Sequence, residues 1–196
     1  MNIAIIKYNA GNICSVDYAL RRFGISPVIT SDPEEIGRAD KVIFPGVGHA
    51  GATMQHLRRL GLDRTIRSLR QPVLGICLGM QLMCRYSSEG DADCLGIFDV
   101  DVERFAPRSH ADKVPHMGWS LLQDVKTELF DREIEGRHVY FVHSYYVPLN
   151  PHTAAVACHI HPFSAALGKD NFYATQFHPE KSGGTGERIL QNFLHI

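Results

Sequence analysis

Pro72-Val73-Leu74-Gly75-Ile76-Cys77-Leu78-Gly79 decides how this chain is read. A short apolar run leads straight into a cysteine set between two glycines, and glycines there let a backbone turn sharply out of a strand and into a helix. Such a turn presents a Ser or Cys side chain at the edge of a sheet. The thiol then stands at a helix N-terminus, where unpaired N–H groups and the helix dipole favour the thiolate, the nucleophilic form. Gly75-Ile76-Cys77-Leu78-Gly79 alone leaves a second reading open, a buried structural cysteine between two packing glycines.

Upstream of this turn, strand and helix signals alternate. Ile3 to Ile6 reads as a buried strand, and Ile13, Val16, Leu20 and Phe23 recur at helical spacing up to Gly24, a C-cap. Pro27 to Thr30 reads as the next strand, and Asp32-Pro33-Glu34-Glu35 supplies an N-cap, a first-turn proline and a capping-box acid. Strand Lys41 to Phe44 runs into Pro45-Gly46-Val47-Gly48, and a helical stretch from about Ala50 precedes strand Val73 to Ile76. Strand-helix alternation of this kind builds a parallel sheet covered on both faces.

From about Leu95 the pattern changes to short strands between turns, which predicts an antiparallel second half. His138 to Val142 is one such strand. Phe163 to Leu167 and Phe172 to Phe177 flank the hairpin loop Gly168-Lys169-Asp170-Asn171. A last helix is predicted from about Thr185 to Leu194, with Ile189, Leu190 and Phe193 on one face. The expected class is α/β in one domain, with a mixed sheet.

Composition narrows the functions. With 196 residues, 44% hydrophobic and 21% charged, the chain is a globular domain and neither disordered nor fibrous. Lys plus Arg number 20 against 21 Asp plus Glu, and without a long basic run nucleic-acid binding is not expected. Five cysteines (Cys14, Cys77, Cys84, Cys94, Cys158) make neither a C-x-x-C pair nor a disulfide framework, which points to a reducing cytoplasm. Cys84 falls seven residues after Cys77 and is expected on the same helix, as a core thiol. The opening run, broken by Lys7, reads as a strand and not a secretory signal, and no stretch approaches the ~20 apolar residues of a membrane span. His159-Ile160-His161 and the set His110, His116 and His138 match no zinc spacing, so no metal is expected.

A thiol nucleophile needs a base and a group to orient that base. Phe177-His178-Pro179-Glu180 offers both: Pro179 favours an extended His178, and side chains at i and i+2 of an extended segment point the same way. By itself an H-x-E is also what a loop histidine beside a solvated glutamate looks like. Backbone donors for a tetrahedral oxyanion are expected from the Leu78 N–H and from Pro45-Gly46-Val47-Gly48, at the C-terminal end of a neighbouring strand, though such a run also serves as a plain strand-to-helix turn.

Together, P-G-V-G at 45–48, G-I-C-L-G-M-Q at 75–81 and Q-F-H-P-E-K-S-G at 176–183 resemble the class I (triad) glutamine amidotransferases. The likeness spans nearly the whole chain and implies one flavodoxin-like glutamine amidotransferase type-1 domain over 1–196. It implies hydrolysis of L-glutamine through a cysteine thioester with no cofactor. Residue by residue it makes Cys77 the nucleophile, His178 the acid/base and Glu180 its orienter, with Leu78, Val47 and Gly48 at the oxyanion. It further implies substrate contacts from Gly48, Gln81, Ser144 and Tyr145, although Ser144 and Tyr145 also read as ordinary strand residues.

Within that family the chain is similar to the glutaminase subunits of imidazole glycerol phosphate synthases, through P-G-V-G-H (45–49), P-H-M-G-W (115–119), H-S-Y (143–145) and H-P-E-K-S-G (178–183). Relatives in anthranilate, guanylate or pyridoxal phosphate synthesis usually carry P-G-G or another variant at the first of these. The alternatives are such a glutaminase of another pathway, or a non-catalytic flavodoxin-like binding module. The likeness implies a partner, a cyclase subunit with a (β/α)8 barrel that receives ammonia for histidine biosynthesis. Free ammonia at pH 7 would mostly become ammonium, which is not a nucleophile, so the joint must seal. Asn12 in the run Ala10-Gly11-Asn12-Ile13, together with Met117, Trp119 and Lys181, is expected to face the partner. For Trp119, a place in the core is the competing reading.

Overall fold

A computed structural model describes residues 1–8 and 11–196, so Ala10 of the A-G-N-I run lies outside the described residues. Its first half follows the predicted alternation: β1 (Ile3–Ile6), α1 (Ile13–Arg22), β2 (Val28–Thr30), α2 (Pro33–Arg38), β3 (Lys41–Phe44), α3 (Ala50–Leu60), α4 (Leu62–Ser68), β4 (Val73–Ile76) and α5 (Leu78–Met83). Local chemistry sets the boundaries. Asp32 accepts a 2.9 Å hydrogen bond from the Glu34 N–H and caps α2. Gly24, at φ 74°, closes α1, and Gly61, at φ 70°, separates α3 from α4.

The second half holds β5 (Cys84–Ser87), β6 (Ala92–Asp93), β7 (Phe98–Arg104), β8 (His116–Leu121), β9 (His138–His143), β10 (Tyr145–Tyr146), β11 (Thr153–Cys158), β12 (Pro162–Lys169), β13 (Phe172–Thr175) and α6 (Gly183–His195). A seven-stranded sheet in the order β11-β12-β13-β4-β3-β1-β2 forms the centre. β13, β4, β3, β1 and β2 are mutually parallel, while β12 and β11 extend one edge antiparallel. The expected antiparallel second half is therefore corrected in part: β13 joins the parallel sheet beside β4, and β5 pairs parallel with β7. The hairpin loop is also tighter than expected, since Lys169 pairs with Phe172 and only Asp170 and Asn171 turn. Cys84 is a buried thiol but opens β5, because α5 ends at Met83.

Both faces of the sheet are covered. Alternation along β1 sends Ile3 and Ile5 to one side, under Leu20 of α1 and Phe193 of α6, and Ala4 and Ile6 to the other, under Ile36, Leu57 and Ile66 of α2, α3 and α4. Burying each such large side chain contributes about 1.5–3 kcal/mol. Two smaller sheets, β10-β7-β5-β6 and β8-β9, stand beside the central one. Among the described residues no helix is long and apolar enough to cross a membrane.

Candidate active site

Cys77 links β4 to α5 with φ 54° and ψ −109°, a conformation costly for a residue with a Cβ. Its neighbours show why the flanks are glycine. A Cβ on Gly79 would stand 2.0 Å from the Phe44 carbonyl oxygen, and one on Gly75 2.9 Å from Met83 Sδ and 3.1 Å from Met80 N. The turn is locked from the other side by β13, whose Thr175 carbonyl accepts the Cys77 N–H at 2.7 Å. That pairing also carries the chain on to His178, beside the thiol.

His178 is fully buried, and its Nδ1–H donates to Glu180 Oε1 at 2.7 Å. Nε2 makes no other hydrogen bond among the described residues and is left for the Cys77 sulfur. Burial opposes a proton on this ring, but hydrogen bonding and charge attraction from Cys77 and Glu180 outweigh it and raise the pKa to about 10. Glu180 reaches His178 by a route the sequence reading did not give: it sits in a 3-10 turn, Pro179–Lys181, and not on an extended segment. The turn is fixed by Ser182, whose Oγ donates to the His178 carbonyl at 2.7 Å and accepts the Tyr140 N–H at 3.0 Å. Asn12, partly exposed at the start of α1, donates its side-chain N–H to Glu180 Oε1, so it supports the carboxylate directly.

A cavity of about 330 Å³ opens over Cys77 and is lined by Val47, Gly48, Leu78, Gln81, Glu89, Pro115, Val142, His143, Ser144 and Tyr145. The residues expected at the oxyanion and at the substrate all meet here. Gln81 is buried and donates to the Tyr145 carbonyl at 3.0 Å and to Gln176 Oε1 at 2.9 Å, while the Gln176 amide nitrogen lies 3.7 Å from Cys77 Sγ. The Leu78 N–H, expected as an oxyanion donor, is already engaged: it donates to the Gly46 carbonyl at 3.2 Å. The 45–48 loop is held in that position by the Tyr8 hydroxyl on the Pro45 carbonyl at 2.5 Å. Glu89, which sequence reasoning missed, accepts the Ala50 N–H at 2.8 Å just beyond that loop. Gln176 was legible only as the first letter of Q-F-H-P-E, and His143 only as part of H-S-Y.

The residues expected at a partner surface lie apart from the pocket floor. Met117 and Trp119 alternate on β8 and are 64% and 55% exposed, which excludes a core role for the tryptophan. Lys181 is exposed next to Glu180. Among the described residues no three His, Cys, Asp or Glu side chains are placed to hold a metal ion.

The chain is 66% identical to the imidazole glycerol phosphate synthase subunit HisH of Bacteroides fragilis (strain YCH46), over 196 residues and 100% of both chains. It is 44% identical to the subunit of the same name from Escherichia coli (strain K12), again over 100% of both. Among solved structures, a protein assigned to a GMP synthase, from Thermoplasma acidophilum, matches at a TM-score of 0.74 and 22% identity, covering 100% of this chain and 92% of that one. A glutamine amidotransferase of Thermotoga maritima matches at 0.64 and 18%, covering 100% and 83%. These two likenesses concern the fold alone. The sequence signature of class-I glutamine amidotransferases matches residues 6–196, and with that match the chain belongs to the class-I glutamine amidotransferase family.

Proposed function

We propose that this chain is the glutaminase subunit of an imidazole glycerol phosphate synthase. It hydrolyses L-glutamine to L-glutamate and ammonia, and it passes the ammonia to a cyclase subunit that forms imidazole glycerol phosphate and AICAR in histidine biosynthesis. One conjunction carries the reading: 66% identity over the full length to a subunit of that name, in a chain whose pocket presents Cys77 served by His178 and Glu180.

In this reading Cys77 Sγ attacks the side-chain amide carbon while His178 Nε2 takes the thiol proton. Glu180 keeps the His178 proton on Nδ1 and balances the imidazolium. The tetrahedral oxyanion collapses, Nε2 returns the proton to the departing nitrogen, and ammonia leaves. Water then attacks the thioester with His178 as base, which releases glutamate and restores the thiol. The oxyanion needs the Leu78 N–H and a second donor from Val47 or Gly48. Because the Leu78 N–H donates to Gly46, the 45–48 loop must release it first. That requirement predicts weak hydrolysis by the isolated chain and stronger hydrolysis in the complex.

The partner surface in this reading is the exposed Met117 and Trp119 face of β8, with Lys181 and Asn12 at its margin, and its occupant is a (β/α)8 barrel. One domain over 1–196 and residence in a reducing cytoplasm complete the proposal; all five cysteines are free. The test is Cys77→Ala in the assembled complex. Glutamate release should fall by about 10⁴ or more with the melting temperature retained. Undiminished release would overturn the assignment.

A further inference from the structure

His116 and His143 stand directly opposite each other in the β8–β9 pair, and both rings turn to the buried side. Their hydrogen bonds fix where the protons are. Nδ1 of His143 lies 2.7 Å from the Tyr145 carbonyl oxygen. A carbonyl only accepts, so His143 carries its proton on Nδ1 and a lone pair on Nε2. His116 Nδ1 is 3.0 Å from that Nε2 and must be the donor. His116 Nε2 is then the acceptor for the Ser120 hydroxyl, also at 3.0 Å. The hydrogen bonds therefore run one way, from Ser120 through His116 and His143 to the Tyr145 carbonyl.

One end of this line lies in the site and the other on β8. The Tyr145 carbonyl also receives the Gln81 amide, and Tyr145, Gln81 and His143 all line the cavity over Cys77. Ser120 and His116 lie on the inward side of β8, whose outward side carries Met117 and Trp119. A strand with one face to solvent and the other in the polar line ties the two surfaces together through rigid backbone.

The groups around the pair oppose added charge. His159 stacks on His116 at 4.3 Å and 16°, and donates from Nε2 to the Lys113 carbonyl. His178 acts on His143 from the triad side, and among the described residues no carboxylate hydrogen-bonds to either ring. A proton added at His143 Nε2 would set two N–H groups against each other. Burial, reinforced by His159, lowers His116 to about 4; burial, reinforced by the neighbouring imidazoles, lowers His143 to about 3 despite the Tyr145 hydrogen bond.

We propose that His116 is a positioning residue for glutamine: acting through His143, it fixes the Tyr145 carbonyl and the Gln81 amide, and it does so only while both imidazoles are neutral with their protons on Nδ1. The inference deepens the glutaminase reading and rests on it.

Long-range ¹H–¹⁵N spectra of the histidine-labelled full chain test the protons directly. Both rings should show the Nδ1–H tautomer, the less common one, unchanged between pH 8 and about pH 5.5. An Nε2–H signal from either ring, or titration near the ordinary value, overturns the proposal. Kinetics of the assembled complex test the role. His116→Ala should raise KM for glutamine about ten-fold with kcat within about two-fold. His116→Asn, whose amide nitrogen takes the place of Nδ1, should recover most of the loss. A fall in kcat at unchanged KM, or an Asn variant as poor as Ala at an equal melting temperature, overturns it. If wild-type complex released no glutamate, the glutaminase reading would fail while the tautomer result still stood or fell alone.

Discussion

Two sets of buried histidines lie near the site, and the fold shifts their proton affinities in opposite directions. His178 is fully buried and His116 and His143 nearly so, at 5% and 6% exposure, so desolvation disfavours a proton on all three. What differs is the partner. His178 faces a carboxylate and a thiol, and its pKa rises to about 10. His116 and His143 face each other, a hydroxyl and a carbonyl, and theirs fall to about 4 and about 3. Burial makes a histidine sensitive, and the charge of its nearest neighbour then sets the sign. One side chain type thus supplies a ring of raised proton affinity between Cys77 and Glu180 and a neutral pair that leads to the Tyr145 carbonyl.

The comparison breaks most severely at Glu180. Glu180→Gln removes the charge that raises His178 and offers an amide that no longer dictates the Nδ1–H form. Glutamate release should fall by about 10³ or more in single-turnover assays of the complex. A loss under ten-fold would mean that the carboxylate does not set the state of His178. Ser120→Asp makes the opposite exchange by placing a carboxylate on His116 Nε2. His116 should then hold a proton at neutral pH, and KM for glutamine should rise about five-fold at pH 6 and recover as pH rises. A KM that ignores pH would separate the two histidine sets from charge altogether.

Stability against pH is the mildest probe. His116 and His143 are neutral when folded but protonate when unfolded, so the unfolded chain binds more protons below about pH 6.5 and stability declines towards about pH 4. His178 works the other way: its contribution is present below about 6.5 and is lost as pH rises towards about 10. Between pH 7 and pH 5 the melting temperature of His116→Asn should therefore drop less than that of the wild type, by ~2–4 °C. Equal drops would show that the neutral pair costs nothing in acid.

Much of the fold was written locally. The β1 to β4 strands, the helices between them and the Asp32 cap follow from periodicity and from contacts within a few residues, which is what one sequence can show. The Cys77 turn was legible for the same reason, since its glycines lie two positions away on each side. The route of Glu180 was misread because Pro179 starts a 3-10 turn as readily as it extends a chain. Cys84 was placed on a helix that stops one residue earlier, because nothing in C-R-Y-S distinguishes a continued helix from an edge strand.

By itself the sequence determined the chemistry on offer: a cysteine in a forced turn, a histidine with a carboxylate two positions on, and a glycine loop after a neighbouring strand. Only the tertiary structure decided which of these meet. β13 lies parallel to β4 across about a hundred residues of chain, and that pairing brings His178 beside Cys77, where β9 and Ser182 hold it. The Leu78 N–H on Gly46, Asn12 on Glu180 and His116 opposite His143 are likewise contacts between distant segments. Sheet order and register are chosen by the burial of both faces at once, a sum over the whole chain that no local window contains.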